Sequence, residues 1–176
     1  MRICFYGPPG CGKSTVSGII FGLMKKESYN VEYVQEFIKK WAYMKRVPAG
    51  YEQLYIFAKQ LHSEDIFLRH GVDHIITDSP ILLNWGYCEV YNSEIKDEIK
   101  NVALKWEKKH PSIHIWLQKG EWKYNATGRY ETEQESINRS NQLYNLISGV
   151  GINFHKMDSS NIESIKDLIM KEINIT

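Results

Sequence analysis

Gly7-Pro8-Pro9-Gly10-Cys11-Gly12-Lys13-Ser14 fits the pattern Gly-x4-Gly-Lys-Ser/Thr, and its reading decides the fold. Glycine at positions 7, 10 and 12 lets the backbone curl so that successive N–H groups point inward as an anion nest. Cys11 reads as a small residue in that tight turn, and Thr15 continues the loop into the next element. Lys13 is placed to reach β- and γ-phosphates, and the Ser14 hydroxyl to ligate Mg²⁺. Such a loop needs a strand before it and a helix after it. Arg2-Ile-Cys-Phe-Tyr6 is a β-type run ending at Gly7, and Val16, Ile19, Ile20, Leu23 and Met24 recur at helical spacing. The helix N-terminus adds its dipole and orphan N–H groups. The stretch therefore predicts a bound nucleoside triphosphate with Mg²⁺ as the accompanying ion; ATP is the donor expected for a kinase.

At 176 residues the chain has the size of one domain, spanning 1–176, with enough material for a real core. Lys plus Arg total 22 against 21 for Asp plus Glu, so bulk charge gives no support for an extended grip on a nucleic-acid backbone. No apolar run approaches the roughly 18 residues of a membrane helix, and the first strand begins too early for a secretory leader. Cys4, Cys11 and Cys88 form no Cys-x-x-Cys pair, which points to a reducing cytoplasm. The six histidines lack the spacing of a metal set.

Strand and helix signals alternate along the chain. Val31–Val34 reads as a second strand, followed by helical stretches over 36–44 and from about Leu54 to His70. Residues 72–77 form a third strand stopped by Ser79-Pro80. Ile95, Ile99, Val102 and Trp106 trace a helix ended by His110-Pro111, and 113–117 is a fourth strand. A polar, glycine-containing segment at about 119–132 has the layout of a lid. Thr132-Glu-Gln-Glu135 has capping-box form, 152–157 is a fifth strand, and Ser160-Asn-Ile-Glu163 repeats the capping form before a last helix. The pattern predicts a three-layer α/β fold: a five-stranded parallel sheet with helices on both faces. Right-handed crossovers then place the ligand outside the carboxyl ends of the strands.

Asp78 follows the apolar run Ile75-Ile76-Thr77, so it projects from a strand end toward the magnesium position. There it can ligate the metal or accept a proton from an attacking hydroxyl. Many phosphate-releasing enzymes with this loop carry Glu immediately after such an Asp, where it polarises water; here Ser79 stands there. Transfer of the γ-phosphate to an acceptor is favoured over its release to water, with an NTP-hydrolysing switch or binding module as the other class. Glu36 closes the second strand on the same edge and is an alternative general base, with Lys39 one helical turn away. Lys45, Arg46, Gln53 and Gln60 lie where an acceptor pocket can form. Trp41, Tyr43 and Trp85 are either base-stacking or core residues. In the lid segment Arg129 is the preferred transition-state contact and Lys123 the second.

Taken together, Gly7–Ser14, Val34-Gln-Glu36-Phe-Ile-Lys39, 53–60, Ile76-Thr-Asp78-Ser-Pro80 and 124–135 resemble the nucleotide-kinase-like P-loop proteins of tailed bacteriophages. The resemblance implies a fold similar to nucleoside monophosphate kinases, with a lid. Some members of this wider group look like kinases of 5-hydroxymethyluracil in phage DNA, and others like nucleoside or deoxynucleotide kinases. The acceptor it implies is thus a hydroxymethylated base in DNA, with free nucleosides or monophosphates as the alternative, in a host cytoplasm. Two departures stand out: Ser79 replaces the Arg common in thymidylate-type enzymes, and Gly120 and Trp122 occupy a segment often more basic.

Overall fold

The computed structural model describes residues 1–120 and 132–175. Five strands, β1 (Arg2–Tyr6), β2 (Val31–Val34), β3 (His74–Thr77), β4 (Ser112–Gln118) and β5 (His155–Asp158), pair in the order β2-β3-β1-β4-β5. Every pairing is parallel. The connecting helices are α1 (Lys13–Lys26), α2 (Lys39–Tyr43), α3 (Glu52–Arg69), α4 (Ile81–Val90), α5 (Lys96–Lys109), α6 (Glu133–Ser148) and α7 (Ile162–Ile175).

Alternation along β1 sorts the chain into layers, because successive side chains leave opposite faces of a sheet. Ile3 and Phe5 pack with Val16, Ile20 and Met24 of α1 and with Ile165 and Ile169 of α7. Cys4 and Tyr6 face the other way, into a core built from α3, α4, α5 and α6 around Trp85, Ile99 and Leu143. Both faces are therefore covered, as a parallel sheet requires.

Several local readings shift. α4 was not expected, because Ile81, Leu82, Leu83, Trp85, Gly86 and Cys88 are all buried and leave no amphipathic stripe to detect. The expected helix over 36–44 shortens to α2, since the 36 and 37 N–H groups are engaged by side chains of other elements. β5 begins at His155 rather than 152, because Phe154 turns into an aromatic cluster 5.0 Å from Tyr6 and 5.1 Å from Trp116. Thr132 caps α6 in a reciprocal box with Glu135, as its sequence predicts. At α7 the residue that accepts from the first turn is Asn161, bonded to the Ser164 N–H at 3.1 Å, while Ser160 is engaged by Asp158.

The amino-terminal end of the sheet is fastened by a buried ionic network. The guanidinium of Arg2 pairs with Glu64 at 2.8 Å and Glu107 at 2.7 Å. Next to it, the Tyr6 hydroxyl lies 3.0 Å from Nδ1 of His114; a neutral ring that keeps its proton on Nε2, toward Glu107, accepts from Tyr6 there. Burial, with the Arg2 and His155 charges, pushes His114 down to about 3. The unfolded chain, with an ordinary histidine near 6.5, binds more protons between those values, so stability falls as pH drops through that window. Urea titrations should lose about 2 kcal/mol between about pH 7 and about pH 5 from this group, and His114→Asn should remove that share of the slope.

Candidate nucleotide and acceptor site

The site forms where the connections leaving β1 and β4 diverge, outside the carboxyl ends of the strands. Gly7, Gly10 and Gly12 all have positive φ, at 138°, 87° and 94°. At Gly7 a Cβ would stand 2.6 Å from the Leu117 carbonyl oxygen and 2.7 Å from the Cys11 sulfur, so only glycine fits there. Cys11 itself is fully buried, a packing residue of the loop. Gly12 precedes α1 in the left-handed conformation without a side-chain cap, and the first turn carries no acidic residue. The orphan N–H groups of that turn are left for an anionic ligand. Lys13 donates to the carbonyls of Gly7 and Pro8 at 2.8 and 3.1 Å, which folds its ammonium over the loop.

Asp78, at the end of β3, is the meeting point. β3 lies beside β1, which places Asp78 against the start of α1. Its Oδ2 accepts from Ser14 Oγ at 2.6 Å and from the Tyr33 hydroxyl at 3.0 Å, and its Oδ1 accepts from the Glu36 backbone N–H at 2.9 Å. The Ser14 hydroxyl and the Asp78 carboxylate are hard oxygen donors of the kind Mg²⁺ takes together with phosphate oxygens, so the pair fits that ion. Lys39 Nζ lies 3.5 Å from Ser14 Oγ. Burial and the Asp78 carboxylate push the Tyr33 phenol well above its usual range.

A cavity of about 250 Å³ is lined by Gly10, Gly12, Lys13, Ser14, Thr15 and Asp78. A second, of about 630 Å³, is walled by Ile38, Ala42, Val47, Ile56, Asn84 and Tyr91, among others. Pro9, Glu36, Lys39, Ser79 and Tyr87 border both. The larger volume falls in the range of small-molecule pockets, and its walls are mainly apolar, with a few polar groups.

The structure thus gathers Lys13, Ser14, Thr15, Glu36, Lys39 and Asp78 around one space. Two residues expected to contact an acceptor lie elsewhere. Trp41 is 8% exposed, stacked on Tyr55 and covered by Arg46 at 3.8 Å, so its ring faces are already occupied. Gln60 is buried, and its Oε1 accepts from the Phe37 N–H at 3.1 Å; it braces the loop that carries Glu36. Trp85 is a core residue and Tyr43 borders the smaller cavity. Arg129 and Lys123 lie outside the described residues. Asn84 and Tyr87 were not anticipated, because both sit on α4; Tyr33 was hidden in a strand whose register the sequence does not print.

Sheet order, glycine loop and strand-end aspartate together define a P-loop nucleotide-binding fold. The chain belongs to the family described as an AAA domain, whose model matches residues 2–164. No curated protein matches it. Among solved structures, the crystal structure of APE1195 aligns with 97% of this chain and 95% of its own, at 16% identity and a TM-score of 0.52. A deoxyadenosine kinase from M. mycoides with bound dATP aligns over 99% of each chain, at 16% identity and a TM-score of 0.48. At such identity the likeness to APE1195 is one of fold alone.

Gly7→Ala tests the cradle directly. Forcing a side chain into that backbone region stores about 1–3 kcal/mol of strain. Fluorescent ATP-analogue binding should weaken roughly 10- to 100-fold while far-UV circular dichroism stays that of the parent.

Proposed function

We propose that the protein is an Mg-ATP-dependent kinase that passes the γ-phosphoryl group to a small nucleoside- or nucleotide-type acceptor. The observation that supports this best is the larger cavity, which shares Glu36, Lys39 and Ser79 with the nucleotide-side cavity. Water needs no compartment of about 630 Å³ beside the phosphates, whereas an acceptor does. Ser79 in place of a water-polarising glutamate points the same way.

In this reading the P-loop N–H groups and Lys13 hold the triphosphate. Ser14 and Asp78 would hold Mg²⁺, which supplies neutralisation of phosphate charge when bound. Asp78 already receives three hydrogen bonds that fix its orientation. Glu36 borders both cavities and is the better placed general base: it takes the proton of the acceptor hydroxyl as that oxygen bonds to the γ-phosphorus and the bond to the β-phosphate oxygen breaks. Lys39 sits beside Ser14 to offset charge at the transferring group. Arg129 and Lys123 remain the proposed lid contacts.

Of the two acceptor classes, the walled cavity favours a free nucleoside or nucleotide over 5-hydroxymethyluracil in DNA. DNA calls for an open basic cleft, and among the described lining residues Lys39 stands against Glu36 and Glu94. Label transfer from γ-labelled ATP decides the matter. Free nucleosides and monophosphates should be labelled and hydroxymethyluracil DNA should not; the reverse overturns the acceptor assignment. Steady phosphate release with no labelled acceptor would place the protein with NTP-hydrolysing switches. Lys13→Ala should abolish transfer, and Glu36→Gln should lower kcat by about 100-fold or more with ATP binding unchanged.

A further inference from the structure

Tyr33 lies on β2 opposite Ile76 of β3. Residues two apart share a face of a strand, so residue 78, two beyond Ile76, faces the same side of the sheet as Tyr33. That side is the one covered by α1, where Phe21 stacks on the Tyr33 ring at 5.8 Å. The ring reaches forward far enough to set its hydroxyl 3.0 Å from Asp78 Oδ2 and 2.9 Å from Ser17 Oγ. Ser17 is fully buried and stands 2.6 Å from the Lys13 carbonyl, one turn back on α1.

Counting protons fixes the direction of this chain. An ionised carboxylate only accepts, so the Tyr33 hydroxyl must spend its hydrogen on Asp78. Ser17 then uses its hydrogen either on the Tyr33 oxygen or on the Lys13 carbonyl, and Tyr33 is left as the donor to Asp78 in both arrangements. When Ser17 donates to Tyr33, a hydrogen-bonded chain runs from α1 through the phenol to the strand-end carboxylate; when it donates to the Lys13 carbonyl, Tyr33 holds Asp78 alone. Ser14 and Tyr33 both address Oδ2, so one carboxylate oxygen is aimed by two groups on different elements.

We propose that Tyr33, backed by Ser17, is a positioning residue that aims Asp78 Oδ2 at the metal position beside Ser14. The proposal rests on the reading that Ser14 and Asp78 hold a divalent ion. Tyr33 touches neither substrate nor metal in this scheme; it acts through Asp78, as outer hydrogen-bond partners of metal ligands commonly do.

Mn²⁺, titrated by electron paramagnetic resonance into the protein–ADP complex, provides a readout apart from turnover. Tyr33→Phe should weaken Mn²⁺ binding about 10-fold or more, while ADP affinity measured in EDTA stays within twofold of the parent. Ser17→Ala, which keeps the phenol and loosens its backing, should give a smaller loss in the same direction, and it covers the case in which Tyr33→Phe folds poorly. Mn²⁺ affinity unchanged in Tyr33→Phe while Ser14→Ala loses it overturns the role of Tyr33. Mn²⁺ affinity unchanged in Ser14→Ala as well overturns the metal-site reading, and the Tyr33 proposal with it. Equal losses of Mn²⁺ and metal-free ADP affinity in Tyr33→Phe would mean general damage to the loop, which also overturns the proposal.

Discussion

The Asp78 carboxylate takes hydrogen bonds from three separately built parts of the chain: the start of α1, the middle of β2 and the loop after β2. None of these parts is near it in sequence. They meet because β3 is inserted between β1 and β2 in the sheet, so the end of β3 is flanked by the P-loop on one side and the β2 exit on the other. A carboxylate has about four lone-pair directions, and Asp78, only 4% exposed, has few left for anything but a cation and its ligands. Ligand geometry at this edge is thus set by sheet order before any loop moves.

The opposite end of the same sheet is fastened by different means. Arg2, Glu64 and Glu107 form a buried polar cluster at the amino-terminal side, with Trp106 donating to Glu64 at 3.1 Å, and His114 and Tyr6 continue it along the sheet. Such a cluster is costly to desolvate and severe to break, which makes it an anchor for strand register rather than a source of net stability. It holds β1 and β4 in line, and through them the direction in which the glycine loop leaves the sheet. The polar groups of the foot turn inward, paired among the described residues except for Glu64 Oε1; those of the upper edge border cavities.

How much of this was legible in the sequence depends on where each constraint is written. The glycine loop is local: backbone freedom, cation and hydroxyl are adjacent in the chain, and all fall where their spacing says. The capping box of α6 is local too. Asp78 could be placed because a strand end is visible as the close of an apolar run. By contrast α4 hides its helical period, since it is buried on nearly all sides. Trp41 and Gln60 share the neighbourhood of the acceptor cavity in sequence but face inward, one under Arg46 and the other onto the Phe37 N–H. Which face a residue takes is decided by packing partners many positions away. Tyr33 needed the pairing with Ile76, a fact of register that no single segment contains.

Asp78 also joins the two cavities mechanically. Its Oδ2 bonds Ser14, which lines the smaller cavity, while its Oδ1 holds the N–H of Glu36, which borders both. Gln60 takes the next N–H, so two successive peptide groups beside the larger cavity hang from a strand end and a helix. In-line transfer needs the reacting atoms within about 3–3.5 Å before the step begins. Under the proposed transfer, a base on a free loop would have to find that distance each time, whereas Glu36, on a peptide bonded to Asp78, would be placed relative to the carboxylate beside Ser14. Substituting Asp78 therefore disturbs both halves of the site together. Altering Gln60 releases only the wall that carries Glu36, and under the proposed mechanism this asymmetry would separate loss of metal from loss of alignment.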